Sequence, residues 1–320
     1  MLKYRENAVF AVEADDGRKY VLRVHRRGYH SDEELRSELL WVRMLSEDGI
    51  PTPLVIPTLT GDVITLVPSS GMTGAYQCDL LSWVSGVQLG TIEEQSFGAP
   101  DFIESAYEEV GRLAAQIHLH SERWRPNASF CRKSWDEEGA MGRSAIWGHW
   151  GDLATLTADE RSLLHRAEMI ARRRLAEYGK PRNRYGLIHG DLVPENVLLD
   201  GERCTLIDFD DAGFGWYISE IAMAVFFQAG TPSYVPALRA LLRGYRELRA
   251  LNEVDLDMLD VMLFIRSLTL IGWIQTRSET VTAQKIRSMV IRIATTLAEG
   301  LSEDRPCYAD VKALSELPVG

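Results

Sequence analysis

Between Leu187 and Asp211 the chain reads Leu187-Ile-His189-Gly-Asp191-Leu-Val-Pro-Glu-Asn196-Val-Leu-Leu-Asp200-Gly201-Glu-Arg-Cys-Thr-Leu-Ile-Asp208-Phe-Asp210-Asp211. Two short apolar runs, Val197–Leu199 and Cys204–Ile207, flank Asp200-Gly201, and an Asp-Gly pair in that setting signals a tight hairpin turn. If the runs pair, Asn196 and Asp208 emerge together at the open end, and Asp191 precedes them on a loop pinned by Pro194. An Asp, an Asn and an Asp then converge on one point. Hard oxygen donors of that kind suit Mg²⁺, which takes few protein ligands and completes its shell with phosphate oxygens and water. The bland alternative is a surface hairpin with solvated acids. The fixed order of His-x-Asp-x4-Asn, hairpin and Asp-Phe-Asp weighs against it.

The rest of the chain divides unevenly around this segment. Ala8–Ala14 and Arg18–Val24 read as two strands joined at Asp16-Gly17. Ser31 with Glu34 forms a capping-box signature for a helix that closes at Gly49 and Pro51. Pro51 to Pro68 is broken by Pro53, Pro57 and Gly61 into short strands, and Leu80–Gly86 is an apolar strand ending in a turn. From Asp101 onward Ile103, Ala106, Tyr107, Val110, Leu113, Ala114 and Ile117 recur at helical spacing, with Asp101 and Glu104 as the cap. Thr157 with Glu160 caps another helix running to Gly179. Further helices are expected over 217–228, 233–251, 255–278 and 280–301. A strand-rich first quarter therefore precedes a mostly helical remainder.

Bulk properties narrow the function classes. The 320 residues, 46% of them apolar, suffice for one large domain or two. A net charge of −11 disfavours nucleic acid and anionic membranes as partners and leans toward a neutral or cationic substrate. The four cysteines, Cys78, Cys131, Cys204 and Cys307, are scattered without a CxxC pair, which points to free thiols in a reducing cytoplasm. Charges crowd the first six residues with no apolar run behind them, so no secretory signal is expected. His118 and His120, two apart, do not share a helical face, so a capping or surface role is expected of them and not a metal site.

Two more residues stand out on physical grounds. Tyr20, Leu22 and Val24 share one face of their strand, leaving Val21 and Arg23 on the other. On the helix after Ser31, Leu35, Val42 and Leu45 mark an apolar stripe, and Glu38 falls on it. An inward carboxylate is costly unless paired, and Arg23 is the cation expected to meet it. A purely structural ion pair is the alternative reading.

The stretch from His189 to Asp208 resembles the catalytic and metal-binding loops of the aminoglycoside phosphotransferase and choline kinase superfamily, relatives of the protein kinases. Glu6-Asn7, Tyr20–His25, Ser37-Glu38-Leu39, Ile50–Pro53 and Leu81–Gly86 look like that family's first lobe, and Gly111–His118 and Asp208–Trp216 like its second. The likeness is closest to bacterial homoserine-kinase-like and stress-response-kinase-like members. It implies a bilobal, kinase-like α+β fold. Residues 1–84 would form a nucleotide-binding lobe of five antiparallel strands and one helix, with a hinge at about 82–86. Residues 85–320 would form a helical lobe carrying the catalytic loop 189–196 and the metal-binding segment 208–211.

The implied activity is transfer of the ATP γ-phosphate to a hydroxyl of a small molecule, with ATP and Mg²⁺ required. Asp191 would orient the acceptor hydroxyl and take its proton. Asn196 and Asp208 would hold Mg²⁺. Arg23, where the family often has Lys, and Glu38 would form the strand-to-helix pair over the phosphates. Backbone groups of Ser82 and Val84 would meet the adenine edge, and Asp210 would lie toward the acceptor. Trp147, in the aromatic-rich apolar segment Ile146–Trp150, either meets the acceptor or packs in the core. Arg266, in the apolar segment Met262–Trp273, either holds an anionic part of the acceptor or pairs with a core acid. His189 is expected to brace the loop. No glycine-rich loop precedes Ala8. Val193 and Gly190 replace the protein-kinase Lys and Arg, no Ala-Pro-Glu motif follows Asp208, and Glu220 stands where relatives have Asp. These departures favour a small-molecule kinase over a protein Ser/Thr kinase. The complete Asp191, Asn196 and Asp208 set argues against a regulatory pseudokinase. An amino alcohol, another hydroxylated metabolite and an aminoglycoside-like antibiotic all remain open as acceptor, as do monomer and homodimer.

Overall fold

The computed structural model describes residues 3–4, 7–68, 74–92, 100–201 and 203–308; Glu6 lies outside them. The first lobe holds β1 (Lys3–Tyr4), β2 (Ala8–Glu13), β3 (Lys19–Val24), α1 (Asp32–Glu47), β4 (Val55–Ile56), β5 (Thr65–Pro68) and β6 (Ala75–Ser82). The sheet runs β1-β2-β3-β6-β4 with β5 also on β6, and every pairing is antiparallel. Among the described residues it has six strands where five were expected. The addition is the two-residue β1, too short to show any periodicity. Ser31 caps α1 as anticipated: its Oγ accepts from Glu34 N at 3.2 Å, and Glu34 Oε2 accepts from Ser31 N at 2.8 Å.

The second lobe holds β7 (Val87–Gln88), α2 (Pro100–Arg123), α3 (Glu137–Met141), α4 (Ala158–Tyr178), β8 (Tyr185–Ile188), β9 (Val197–Asp200), β10 (Arg203–Leu206) and β11 (Gly213–Trp216). The helices α5 (Tyr217–Val225), α6 (Tyr234–Leu248), α7 (Glu253–Leu256), α8 (Leu259–Thr276) and α9 (Val281–Glu303) complete it. Strands β9 and β10 form the expected hairpin, with Val197 opposite Leu206 and Gly201 at the turn with φ +61°. Strand β7 adds to its other edge. The cap expected from Asp101 falls on side chains outside those described, whereas the Thr157–Glu160 capping box of α4 is present.

One expected helix, 255–278, is two. Asn252 and Asp255 form a reciprocal cap on α7, and Tyr178 donates to Asp255 Oδ1 at 2.7 Å, so the first turn is anchored separately and α8 starts at Leu259. Nearly every side chain of α8 is buried, which makes it the central post of a large second-lobe core. The first lobe has only a small cluster around Leu35, Leu39, Ile64 and Leu81. Helix α1 serves both cores. Leu35 and Leu39 face the sheet, while Trp41, Val42 and Leu45 join the larger core, where Trp41 meets Phe209 edge-on at 5.7 Å. Each such buried side chain contributes about 1.5–3 kcal/mol, so α1 couples the lobes firmly. No helix of the described residues is long and apolar enough to cross a membrane.

Candidate active site

The loop from Ile188 to Asn196 is held by backbone demands before any chemistry. Gly190 has φ +82°, and a Cβ there would lie 2.2 Å from the Asp211 carbonyl oxygen, so only glycine fits. Gly190 N donates to Glu220 Oε1 at 2.9 Å, and Glu220 Oε2 accepts from His118 Nε2 at 3.0 Å. His118 Nδ1 in turn lies 2.8 Å from the Tyr245 hydroxyl. All of these groups are fully buried. Burial lowers His118 below its ordinary value, and Glu220 sits low because His118, His189 and the Gly190 N–H outweigh its own desolvation. The expected capping or surface role of His118 is therefore wrong. Its ring props up the acid that holds the loop, and His120 is buried too, accepting from Trp41 Nε1 at 3.4 Å. His189 braces the loop as expected: Nε2 donates to Ile207 O at 3.0 Å and Nδ1 accepts from Asp191 N at 3.2 Å. Those two bonds select one neutral tautomer.

Asp191, Asn196 and Asp208 come together at the hairpin's open end. Asn196 spends its amide hydrogens on Asp191, on the carbonyl oxygen at 2.9 Å and on Oδ2 at 3.0 Å, which leaves Asn196 Oδ1 as its donor atom for a cation. Ile207 N closes the hairpin mouth on Asn196 O at 2.9 Å. Asp208 lies in the left-handed region, φ +67° and ψ +67°. A non-glycine residue held there is strained, and such strain clusters at functional sites. Asp191 Oδ1 accepts from Arg266 Nη2 at 2.5 Å, and the Arg266 guanidinium lies 4.9 Å from the centre of the Trp147 ring. Arg266 thus pairs with the loop acid itself.

Across the cleft, Arg23 does meet Glu38, Nη1 to Oε1 at 2.8 Å. It also makes a fork on Asp79, Nε to Oδ1 at 2.8 Å and Nη2 to Oδ2 at 2.7 Å. Burial works against the charge on Arg23, yet Asp79 and Glu38 raise it well above its ordinary value. Asp79 was missed, although an acid in the apolar run Cys78-Asp79-Leu80-Leu81 was the available signal. It sits directly opposite Arg23 in the β3–β6 register. His25 Nε2 donates to Asp79 Oδ2 at 2.6 Å, and His25 Nδ1 lies 3.5 Å from Asp210 Oδ1, with His30 Nε2 3.6 Å from the same oxygen. Burial lowers His25, but Asp210 and Asp79 overcome it and lift the ring to about 9. Asp210 is held well below the carboxylate range by His25 and His30 despite its burial. Asp210, placed toward the acceptor by the sequence reading, faces this histidine pair.

At the hinge, Ser82 N donates to Leu54 O at 2.8 Å and Trp83 N to Lys19 O at 3.3 Å. The Ser82 N–H is therefore engaged within the first lobe, where β4 packs alongside β6. Ser82 and Val84 both line a cavity of about 550 Å³ between the lobes. Arg23, Asp191, Asn196, Asp208, Trp147 and Arg266 line the same cavity. Of the residues expected to serve catalysis, metal, nucleotide or acceptor, all but Glu38 border it.

On the second-lobe side, Asp211 Oδ1 accepts from the Tyr29 hydroxyl at 2.6 Å and from Trp147 Nε1 at 3.1 Å. Burial, then Asp210, Asp191 and Asp208, push Asp211 up to about 8. Asp191, Asp208 and Asp211 thus crowd one wall of the cavity. Asn196 Oδ1 and the Asp208 carboxylate are the oxygens on it that would suit a hard divalent cation.

The phosphotransferase enzyme family matches this chain over residues 3–251. The chain belongs to that family. Among relatives of this phosphotransferase, the amicoumacin kinase of Bacillus subtilis (strain 168) is 25% identical over 222 residues, 69% of this chain, which spans only 60% of that kinase. The homoserine kinase of Rhizobium meliloti (strain 1021) is 25% identical over 266 residues, covering 80% of this chain and 72% of its own. Among solved structures, a microcompartment-associated aminopropanol kinase superposes on the phosphotransferase with a TM-score of 0.82 at 33% identity, covering 95% and 91% of the two chains. An amicoumacin kinase in complex with AMP-PNP and Ca²⁺ gives 0.76 at 19% identity, over 98% and 90%. The latter likeness is one of fold.

Proposed function

We propose that this chain transfers the γ-phosphoryl group of ATP to the hydroxyl of a small amino alcohol. The observation that carries the reading is the placement of Asp191, Asn196 and Asp208 on one wall of a cleft whose other wall holds Arg23. Likeness to an aminopropanol kinase across nearly the whole chain supports the acceptor class, and the surplus of carboxylates on the acceptor wall suits a cationic substrate.

In this reading residues 1–84 hold the nucleotide and residues 85–320 the acceptor and the catalytic loop. Asp191, oriented by Arg266 and Asn196, receives the acceptor hydroxyl, aligns its oxygen with the phosphorus and takes its proton as the bond forms. Phosphoryl transfer of this kind asks mainly for positioning and charge neutralisation. Arg23, fixed by Glu38 and Asp79, faces the phosphate end of the nucleotide. Asn196 Oδ1 and the Asp208 carboxylate would hold Mg²⁺, which when bound neutralises charge on the β- and γ-phosphates. The Asp210 carboxylate, paired with His25 and His30, ties the metal-binding segment to the first lobe. The four cysteines carry no disulfide, in keeping with a cytoplasmic enzyme.

The test is acceptor-stimulated ADP release with Mg-ATP across amino alcohols, homoserine, other hydroxylated metabolites and aminoglycosides. Turnover of amino alcohols above the other classes is expected. Preference for an antibiotic or for homoserine would overturn the acceptor class, and tight ATP binding with no turnover of any compound would move the assignment to a regulatory pseudokinase.

A further inference from the structure

Asp211 is set apart from its neighbours by the company it keeps. Asp191 has Arg266, and Asp210 has His25 and His30. Asp211 has only neutral donors, the Tyr29 hydroxyl and Trp147 Nε1, and its backbone oxygen accepts from Trp135 Nε1 at 2.7 Å. No ion pair forms on it among the described residues. The nearby Lys133 turns its ammonium elsewhere, onto Tyr29 O at 2.6 Å and over the Tyr29 ring at 4.0 Å. A half-buried carboxylate without a counter-charge is costly, and Tyr29 and Trp147 fix it in that condition while Trp135 holds its backbone. The arrangement is built for a cation that arrives from outside.

Which cation is decided by position. Asn196 and Asp208 lie at the hairpin mouth. Asp211 is joined instead to Trp147, whose ring carries Arg266, the partner of Asp191. Asp211 and Asp191 are therefore two ends of one aromatic and guanidinium frame on the wall of the cavity. A second, independent sign of a ligand lies in the same frame: Arg266, 4% exposed, has no hydrogen-bond partner for Nε or Nη1. A buried guanidinium with two unused donors is incomplete without an oxygen-bearing molecule beside it.

We propose that Asp211 receives the ammonium group of the acceptor while Asp191 receives its hydroxyl, so that Asp211 sets the preference for amino alcohols over neutral alcohols. The proposal rests on the function argued above and names the residue behind its acceptor class. Trp147 and Tyr29 act as positioning residues, aiming the carboxylate and lining the approach with aromatic surface that suits a cation.

The experiment measures kcat/KM of the full-length chain for 1-amino-2-propanol and for 1,2-propanediol, which replaces the ammonium by a hydroxyl. A hydrogen bond between charged groups contributes enough for about 10–100-fold discrimination. Wild type is expected to favour the amine by that margin. Asp211→Asn is expected to collapse the ratio through KM for the amine, with KM for ATP unmoved. A folded Asp211→Asn variant that keeps the ratio overturns the proposal. Wild type supplies a second readout that needs no variant. Propylammonium, which lacks the hydroxyl, should inhibit competitively against the amino alcohol. Competition against Mg²⁺ instead would make Asp211 a metal ligand and overturn the proposal. Equal turnover of amine and diol by wild type sinks this inference and the amino-alcohol class together but leaves the small-molecule phosphotransferase standing, whereas no turnover of either removes the proposed function as a whole.

Discussion

The two walls of the cleft handle buried charge in opposite ways. On the first-lobe side, Arg23, Glu38, Asp79, His25, Asp210 and His30 form an ion-pair network in which every acid faces a base, although its hydrogen bonds run only through Asp79 and the Glu38 and Asp210 oxygens make none. On the second-lobe side, Asp191 has one cation, Asp211 has none, and Arg266 retains unused donors. The closed network has its charges neutralised before any ligand arrives, and such networks are rigid but costly to break. The open wall has unspent interactions, which is what a site needs if binding energy is to come from the ligand. Complementarity in waiting is expressed as local instability.

The largest effect should come from the open wall. Asp191→Asn keeps the shape and the acceptor for Arg266 Nη2 but loses the base, and losing a positioned base costs about 10²–10⁴-fold in turnover. Mg-ATP affinity should stay near native, because the nucleotide side does not use that carboxylate. Asp208→Ala should instead lose nucleotide affinity and turnover together. If Asp191→Asn retains most of its turnover with the true acceptor, the division of labour between the walls is wrong.

Next comes the closed wall. Arg23→Met leaves buried Asp79 with His25 alone and buried Glu38 with Arg132 alone, 3.7 Å away, and removing one partner of such a group costs about 3–5 kcal/mol of stability. A single Arg23–Glu38 pair would have predicted a loss mainly in ATP affinity. The additional fork to Asp79 predicts that the melting temperature falls with it. Thermal unfolding alongside nucleotide titration decides the point. A variant that melts like wild type would show that the network is not a structural unit.

This contrast also marks what the sequence makes legible. The hairpin, Asn196 and Asp208 at its mouth, the two capping boxes and the Arg23–Glu38 pair all rest on local spacing, and each appears where the pattern put it. What escaped depends on distance along the chain. Asp79 reaches Arg23 across 56 residues and Tyr29 reaches Asp211 across 182. His118 looked like a helix-end residue because Glu220, its partner, lies 102 residues away. Trp147 and Arg266 were flagged for their place in apolar segments, but their mutual stacking and the grip on Asp191 needed the fold. A polar residue in an apolar run announces that it has a partner, not which one.

A further effect, which separates the walls by pH alone, is on stability. His25 has its folded value raised from an ordinary 6.5 to about 9. A group raised on folding contributes stability that is complete below its unfolded value and is lost as pH climbs through the folded one. The closed wall should therefore weaken as pH climbs from about 6.5 to about 9, by up to about 3 kcal/mol if the whole shift is expressed. Asp211 is also raised, from 3.8 to about 8, so it has the same sign in a lower window. The open wall loses stability steadily as pH rises from 4 to 8, because the unfolded chain releases that proton first. Melting temperature against pH in wild type, His25→Gln and Asp211→Asn tests both. His25→Gln should flatten the alkaline limb and leave the slope between pH 5 and 7 intact, while Asp211→Asn, which still accepts from Tyr29 and Trp147, should flatten the lower slope and leave the alkaline limb. Identical profiles in all three proteins would mean that neither ring nor carboxylate is held as its surroundings demand, and the contrast between the two walls would lose its electrostatic basis.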